Sequence, residues 1–324
     1  MKTSNINSTS KHQLHLKKSR LIEQIAHLKR TKKAVILAHY YQDPEIQEIA
    51  DFVGDSLELS KKASKTDADI IVFAGVYFMA ETAKILNPDK TVLIPDADAS
   101  CSLAESCPPE VFEAFVKEHP NHKVVTYINC NAEIKTMSDL VCTSSNAEKV
   151  LEAIPEEYPI IFGPDKNLGN YLAKKTGRNL VLWNGSCLVH EAFELDKIIN
   201  LFKEHPDARL VAHPESPSHI LDLATYIGST SGMLHYVQES ETKKFIVATE
   251  VGILHKMQQQ VPDKILIPAP VTENNTCACS ECAYMKLITL EKIFFCLLNE
   301  TPEVTLDKDI AKKALVPIEK MMNL

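Results

Sequence analysis

The chain alternates short, continuously apolar runs with longer amphipathic stretches over most of its length. Runs such as AVILAHY, which starts at residue 34, and IIVFAG, which starts at residue 70, are typical of strands buried on both faces of a sheet. The stretches between them, such as VYFMAETAKIL from residue 76, space their apolar residues as helices do. This alternation predicts an α/β protein with parallel sheets that are covered by helices on both faces.

The pattern occurs three times, in units that begin AVILAHYYQDPEIQEIADFVGDS, KVVTYINCNAEIKTMSDLVCTS and ARLVAHPESPSHILDLATYIGST. Self-similarity at a fixed period indicates a repeated structural unit. We therefore expect three homologous αβα sandwich domains around a pseudo-threefold axis, with the active site at the centre. The predicted segments are a leader and helix over 1–30, three repeats over 31–107, 108–192 and 193–282, and C-terminal helices over 283–324.

Each unit is predicted to contain three strands and the helices between them. The stretches PEIQEIADFV, NAEIKTMSDL and SHILDLATYI, which start at residues 44, 131 and 218, are interpreted as continuous helices. Another helix is predicted over residues 12–30, where leucine and isoleucine recur among lysine and arginine.

Three columns of polar residues emerge when the units are aligned without gaps. They step by 88 and then 86 residues and contain His39, Tyr127 and His213; Tyr41, Asn129 and Glu215; and Ser56, Ser144 and Thr230. The first column falls at the ends of the predicted first strands. Ligands of open parallel sheets bind at the carboxyl ends of the strands, so the columns predict one pocket enclosed by three similar walls.

A cysteine follows an apolar strand in each unit, at Cys101, Cys187 and Cys282. Converging thiolates suit a soft metal centre. Three of them leave one coordination position open, as in a [4Fe–4S] cluster with one iron that is not held by cysteine. Each cysteine alone would favour core packing, but their equivalence in three repeats favours the metal centre.

The segment CACSEC holds two further cysteines, Cys277 and Cys279, ahead of Cys282. They are compatible with half of a zinc site or with a redox-sensitive pair beside Cys282. Core packing is the expectation for the remaining cysteines, which are Cys107, Cys130, Cys142 and Cys296.

The hydroxyl column and the other polar columns suggest complementary functions. Ser56, Ser144 and Thr230 are expected either to cap helices or to bind an anion at the helix ends, which favours a carboxylate-rich or phosphorylated small molecule. The other two columns, joined by His190, form a predicted ring of acids, bases and hydrogen-bond donors that can move protons.

Composition excludes several classes of function. The chain has 324 residues, of which 45% are hydrophobic and 24% charged, and its net charge is −8 without a long basic run; this argues against nucleic acid as a partner. No apolar stretch reaches 18 residues, which argues against a membrane span. Residues 1–20 contain no acid and no apolar signal core, so we expect a cytoplasmic protein with a flexible start, or less favourably an organelle transit segment.

The strings AHYYQ, GDSLELS, TSSNA, GPDKNLG, AHPE, GSTSGM and CAYMKLITLEKI together resemble the quinolinate synthase family of NAD biosynthesis. The resemblance runs from about residue 33 to 295. It implies one [4Fe–4S] cluster with three cysteine ligands, Cys101, Cys187 and Cys282. It also implies a transferase that condenses iminoaspartate with dihydroxyacetone phosphate to give quinolinate, phosphate and water.

The resemblance further implies roles for the polar residues. The open iron would act as a Lewis acid in dehydration, and catalytic proton transfer is assigned to Tyr41, His190 and Glu215. The substrate-binding residues would be His39, Ser56, Tyr127, Asn129, Ser144, His213 and Thr230. Functional coupling to L-aspartate oxidase, the source of iminoaspartate, is also expected.

Two departures from the family pattern are visible. Some members space three cysteines as Cys-x-x-Cys-x-x-Cys, whereas here one residue separates Cys277 from Cys279, and residue 283 is alanine where proline is common. Two rival functions stay open on the sequence alone. One is another iron–sulfur hydro-lyase, and the other is a sensor whose cluster is regulatory.

Overall fold

The computed structural model describes residues 4–272 and 280–324, with side chains from residue 16 onward. Its strands form three four-stranded sheets in which every pairing is parallel. The strands are β1 Ala34–His39, β2 Phe52–Gly54, β3 Ile70–Ala74, β4 Thr91–Leu93, β5 Lys123–Tyr127, β6 Leu140–Cys142, β7 Ile160–Gly163, β8 Leu180–Leu182, β9 Arg209–Ala212, β10 Tyr226–Ile227, β11 Lys244–Ala248 and β12 Ile265–Pro268. The predicted α/β class with three αβα sandwiches is confirmed.

Helices connect the strands and flank the sheets. They are α1 Ser4–Thr31, α2 Pro44–Ile49, α3 Ser56–Ala63, α4 Tyr77–Leu86, α5 Ser102–Glu105, α6 Pro109–Glu118, α7 Ala132–Thr136, α8 Ala147–Glu152, α9 Lys166–Thr176, α10 Leu188–Glu191, α11 Leu195–Glu204, α12 Ser218–Leu221, α13 Thr230–Glu239, α14 Ile253–Gln260, α15 Leu290–Asn299 and α16 Lys308–Asn323, with a 3₁₀ turn at Met285–Leu287. Helix α1 begins at Ser4 rather than at residue 12, so the predicted helix extends further toward the N-terminus than expected.

The strand order is the same in all three sheets: β2-β1-β3-β4, β6-β5-β7-β8 and β10-β9-β11-β12. In each sheet the first strand lies in the interior, and the chain turns to one side of it and then to the other. Such a reversal opens a crevice at the carboxyl end of that strand. The repeated order therefore creates three equivalent crevices, at the ends of β1, β5 and β9.

The edge strands β2, β6 and β10 correct the sequence prediction. The stretches interpreted as single helices end early, at α2, α7 and α12, and the chain then returns as two or three residues of strand. In the first two units an aspartate just before the edge strand stabilises the turn back to the sheet. Asp51 accepts a hydrogen bond from the backbone N–H of Ile36 (2.7 Å), and Asp139 accepts one from that of Val124 (2.9 Å). The early return directs the following helix, α3 or α13, toward the carboxyl edge of its sheet.

The hydrophobic core joins the first two units more closely than the third. One continuous cluster of buried residues includes both of their sheets together with α15 and α16, and α16 packs against α4, α7 and β6. Separate clusters cover the third sheet. The C-terminal helix therefore bridges the first and second units, while the third unit is stabilised largely by its own core.

Candidate active site

The three crevices open onto one cavity, and every residue predicted for the site lines it. The lining includes His39, Tyr41, Ser56, Cys101, Tyr127, Asn129, Ser144, Cys187, His190, His213, Glu215, Thr230 and Cys282. Residues that the sequence did not assign to the site also line it, namely Asp55, Thr143, Glu250 and the apolar Val76, Phe78, Met79, Val189 and Met285. The structure thus brings the three polar columns and the three repeat cysteines together.

Glu215 lies at the centre of the polar contacts. The Tyr127 hydroxyl donates to its Oε1 (2.6 Å), and its Oε2 lies 3.1 Å from His190 Nδ1. His213 Nδ1 is 3.6 Å from Oε1. Burial by itself raises the pKa of the Glu215 carboxyl, but His213, His190 and the Tyr127 hydrogen bond outweigh it and lower the pKa to about 2. Glu215 is therefore a buried, ionised carboxylate.

Two histidines and two tyrosines around Glu215 are neutral near pH 7. Burial lowers the pKa of His39 to about 4 and that of His213 to about 3. Burial, and then the charge of Glu215, raise the pKa values of Tyr41 and Tyr127 well above their ordinary range. The two tyrosines are consequently hydrogen-bond donors, and the two imidazoles are neutral partners for a ligand.

A series of polar contacts links Tyr41 to Glu215 across the cavity. The Tyr41 hydroxyl lies 2.7 Å from Thr249 Oγ1, and Thr249 Oγ1 lies 3.0 Å from His190 Nε2. His190 Nδ1 then faces Glu215. Thr249 was missed from the sequence, although it directly follows β11 at the same sheet edge as the polar columns. His190 Nδ1 has no hydrogen-bond partner among the described residues, but its 3.1 Å distance from Glu215 Oε2 allows a proton to pass once the two groups align.

The hydroxyl column reaches the cavity, but its predicted capping role is wrong at all three positions. In α3 and α13 the cap lies one residue earlier: Asp55 accepts from the N–H groups of Leu57 and Glu58 (both 3.0 Å), and Ser229 caps α13. In the second unit the residue before α8 is Asn146, not Ser144. Ser56 and Thr230 are the first residues of α3 and α13. Their position in the first turn, at the positive end of the helix dipole, supports the anion-binding interpretation.

Asp55 also connects the three units. Its second carboxylate oxygen accepts hydrogen bonds from Ser145 of the second unit (2.7 Å) and Ser231 of the third. Asp55 therefore positions the three hydroxyl-bearing segments relative to one another. The residue type was visible in the string GDS, where an aspartate precedes the serine of the column.

The cysteine environment fits a metal centre. Burial raises the pKa of Cys101 to about 12, and Cys282 adds to the effect. The pKa of Cys187 is raised further, by burial, then by Glu215, Cys101 and Cys282. Thiols that oppose one another's ionisation in this way become thiolates when a metal neutralises them. The ligand atoms of Cys187, His190 and Glu215 lie within 4.8 Å of one another.

The remaining cysteines divide into two groups. Cys107, Cys130, Cys142 and Cys296 are buried in the hydrophobic clusters, as predicted. Cys277 and Cys279 lie outside the described residues, so the interpretations of this pair stay predictions.

Asp165, which interacts electrostatically with Glu215, provides a test of how the buried charge of Glu215 affects its neighbours. It is fully buried, its Oδ1 accepts from the N–H of Leu168 (2.8 Å) at the start of α9, and burial and then Glu215 raise its pKa well above the ordinary range. The folded protein therefore holds a proton here that the unfolded chain releases above about pH 4. The stability that Asp165 contributes is present below that pH and is lost as the pH rises.

Asp165→Asn is expected to cost less than about 1 kcal/mol at pH 5, because the amide retains the capping oxygen. At pH 8 the free energy of unfolding of Asp165→Asn should rise relative to that of the parent protein. The reason is that the folded parent must then keep Asp165 protonated, or bury its charge, while the unfolded chain ionises it freely. Urea unfolding at both pH values measures this, and Asp165→Ala, which loses the cap, serves as the control. An equal difference between Asn variant and parent at the two pH values would contradict a neutral Asp165.

Fold and site together define a three-unit α/β enzyme whose buried, thiol-bearing site lies where the sheets converge. A sequence profile described as "Quinolinate synthetase A protein" matches residues 23–323. The quinolinate synthase of Nostoc punctiforme is 59% identical over 304 residues, or 94% of this chain and 93% of the relative. That of Chloroherpeton thalassium is 55% identical over 314 residues, or 97% of each. The chain belongs to the quinolinate synthase family.

A further quinolinate synthase, from Microcystis aeruginosa, is 58% identical over 304 residues, or 94% of this chain and 95% of the relative. Among residues 4–272 and 280–324, no helix has both the length and the apolarity that crossing a membrane requires.

Proposed function

We propose that this protein condenses iminoaspartate with dihydroxyacetone phosphate, as a transferase, to give quinolinate, phosphate and two molecules of water. The observation that carries the proposal is the convergence of three repeat cysteines and the Glu215-centred proton route in one buried cavity. Membership of the family supports the same reaction.

The three thiols are the groups that would hold a [4Fe–4S] cluster. Cys101, Cys187 and Cys282 come from three different segments of the chain and face one cavity. When bound, such a cluster supplies a Lewis acid that eases the loss of a hydroxyl group as water.

Substrate binding falls to neutral groups and helix ends. Both substrates and the product carry negative charge, yet the described lining of the cavity contains no lysine or arginine. The hydroxyls of Ser56 and Thr230 stand in the first turns of α3 and α13, where the helix dipole favours negative charge, and Ser144 lies on the matching segment of the second unit. The buried Oδ1 of Asn129 has no partner among the described residues and is suited to accept a hydrogen bond from a substrate hydroxyl or amine.

Proton transfer is assigned to the series of polar contacts that runs from Tyr41 through Thr249 and His190 to Glu215. The ionised Glu215 stabilises a positive charge on His190 whenever that imidazole takes up a proton. Thr249 carries the connection onward to Tyr41, whose neutral hydroxyl can donate to a developing oxyanion. His39 and His213, which are neutral near pH 7, orient the substrates rather than exchange protons with solvent.

The supply of substrate fits a functional coupling to an aspartate oxidase. Iminoaspartate hydrolyses readily in water, so a buried site gains from receiving it soon after it forms. We therefore propose that L-aspartate oxidase acts immediately before this enzyme.

The test is a coupled assay on anaerobically purified protein, with iminoaspartate generated by an aspartate oxidase and dihydroxyacetone phosphate added. We expect quinolinate and inorganic phosphate to appear in equal amounts, and neither to appear when dihydroxyacetone phosphate is omitted. Loss of water from a hydroxy acid without phosphate release would instead indicate another hydro-lyase. Protein that binds a cluster but turns over neither type of substrate would contradict both.

A further inference from the structure

Glu250 is a fully buried carboxylate that the proposed mechanism does not use. It follows β11 in the third unit, and both of its oxygens are occupied. Oε2 accepts from the N–H of Gly252 (2.6 Å), and Oε1 accepts from the N–H of Cys282 (3.2 Å). Next to it, the N–H of Val251 donates to the carbonyl of Ser280 (3.0 Å). The end of β11 therefore fixes the backbone on which Cys282 is carried.

Lys286 extends this connection to the first unit. Its Nζ lies 3.3 Å from Glu250 Oε1 and donates to the backbone carbonyl of Tyr41 (3.0 Å). The same ammonium lies 3.0 Å from Asp43. One lysine thus joins Glu250, which holds Cys282, to the turn that carries Tyr41.

The backbone around this pair is packed too closely to shift freely. A Cβ added to Gly252 would lie 2.8 Å from the carbonyl carbon and oxygen of Tyr41, and such contacts essentially never occur between real atoms. Glycine at this position lets the loop after β11 touch the Tyr41 peptide directly. The contact and the ion pair therefore constrain the same two segments.

Placing a carboxylate and an ammonium together away from water costs desolvation free energy, unless hydrogen bonds satisfy their remaining donors and acceptors. Here the charges are directed at main-chain groups of two functional residues rather than at each other alone. We propose that Glu250 and Lys286 are positioning residues, which fix the distance between the backbone of Cys282 and the turn that carries Tyr41. The Cys282 thiol and the Tyr41 hydroxyl can then contact the same bound ligand. The inference rests on the proposed function, since it takes Cys282 as a cluster ligand.

The test compares iron release from anaerobically purified parent protein with that from Glu250→Gln, Lys286→Met and the double variant. A ferrous chelator is added without substrate. Each single variant breaks the charge contact between Glu250 and Lys286 that joins the two segments, so each is expected to lose iron about tenfold faster. The double variant should lose iron no faster than the worse single variant, because both remove one shared interaction.

Lys84→Met is the matched control. Lys84 is about as buried as Lys286, with 17% of its side chain exposed against 19%, and its Nζ lies the same 3.3 Å from a carboxylate, that of Glu303. Iron release as slow in both single variants as in Lys84→Met, or additive effects in the double variant, would overturn the inference. Urea unfolding completes the test: iron loss that merely follows global unfolding would show a structural role only. Parent protein that binds no iron would instead refute the proposed function.

Discussion

Replacing Cys101, Cys187 or Cys282 with alanine is expected to remove the bound iron and to lower quinolinate formation by about a thousandfold or more. Each thiol lies in the central cavity, and no further cysteine of the described lining can take its place. Iron and sulfide content, together with Mössbauer spectra of anaerobically purified protein, measure the outcome. About four irons with one distinct site are expected for the parent protein and none for the variants.

Cys296→Ala and Cys107→Ala are the controls for this prediction. Both residues are buried in hydrophobic clusters, so their loss should lower stability, by about 1 kcal/mol for a small cavity, while the iron content stays unchanged. Zinc in the parent protein, or a cluster that survives the loss of one of the three ligands, would contradict the assigned ligand set.

The repeat made most of the site predictable from the sequence. His39, Tyr127 and His213 share a column because equivalent strands end at equivalent places, and the fold brings those ends together. Strands of five or six apolar residues can also be predicted from their composition alone. Polar residues that recur at equivalent positions in the three units could therefore be recognised, even where one copy alone was ambiguous.

The missed features are short or depend on distant partners. Edge strands of two or three residues, such as Tyr226–Ile227, carry no periodicity of their own and are defined only by pairing with β9. Thr249 and Glu250 occur in one unit and have no counterparts in the columns. Their importance comes from contacts with His190, Cys282 and Lys286, which lie 30 or more residues away in sequence and become neighbours only through the fold.

The capping interpretation of Ser56 and Thr230 was wrong by one residue at each position, for a local reason. Aspartate and serine at 55 and 229 are themselves strong N-cap residues, so each helix has two candidate caps in succession. Backbone geometry selects the earlier one, which is extended at both sites. The later hydroxyl is thereby left at the cavity, where a ligand can use it.

Glu215→Gln is expected to keep the iron and to lower kcat by about a hundredfold to ten-thousandfold, the range for losing a positioned acid or base. Its carboxylate, with a pKa of about 2, is ionised through the working pH range because His213, His190 and Tyr127 stabilise the charge. A neutral amide of the same shape cannot stabilise a proton on His190. Steady-state kinetics with iron analysis on the same preparation measure both effects.

Glu191→Gln is the matched control, since Glu191 shares the Asn167 amide group with the backbone of Glu215 but is half-exposed. We expect its kcat to stay within about threefold of the parent value, as for most surface changes. Full activity of Glu215→Gln would remove the carboxylate from the mechanism. Loss of iron from Glu215→Gln would instead show that Glu215 acts on the metal rather than on proton transfer. Its carboxylate lies within 4.8 Å of the Cys187 ligand atom.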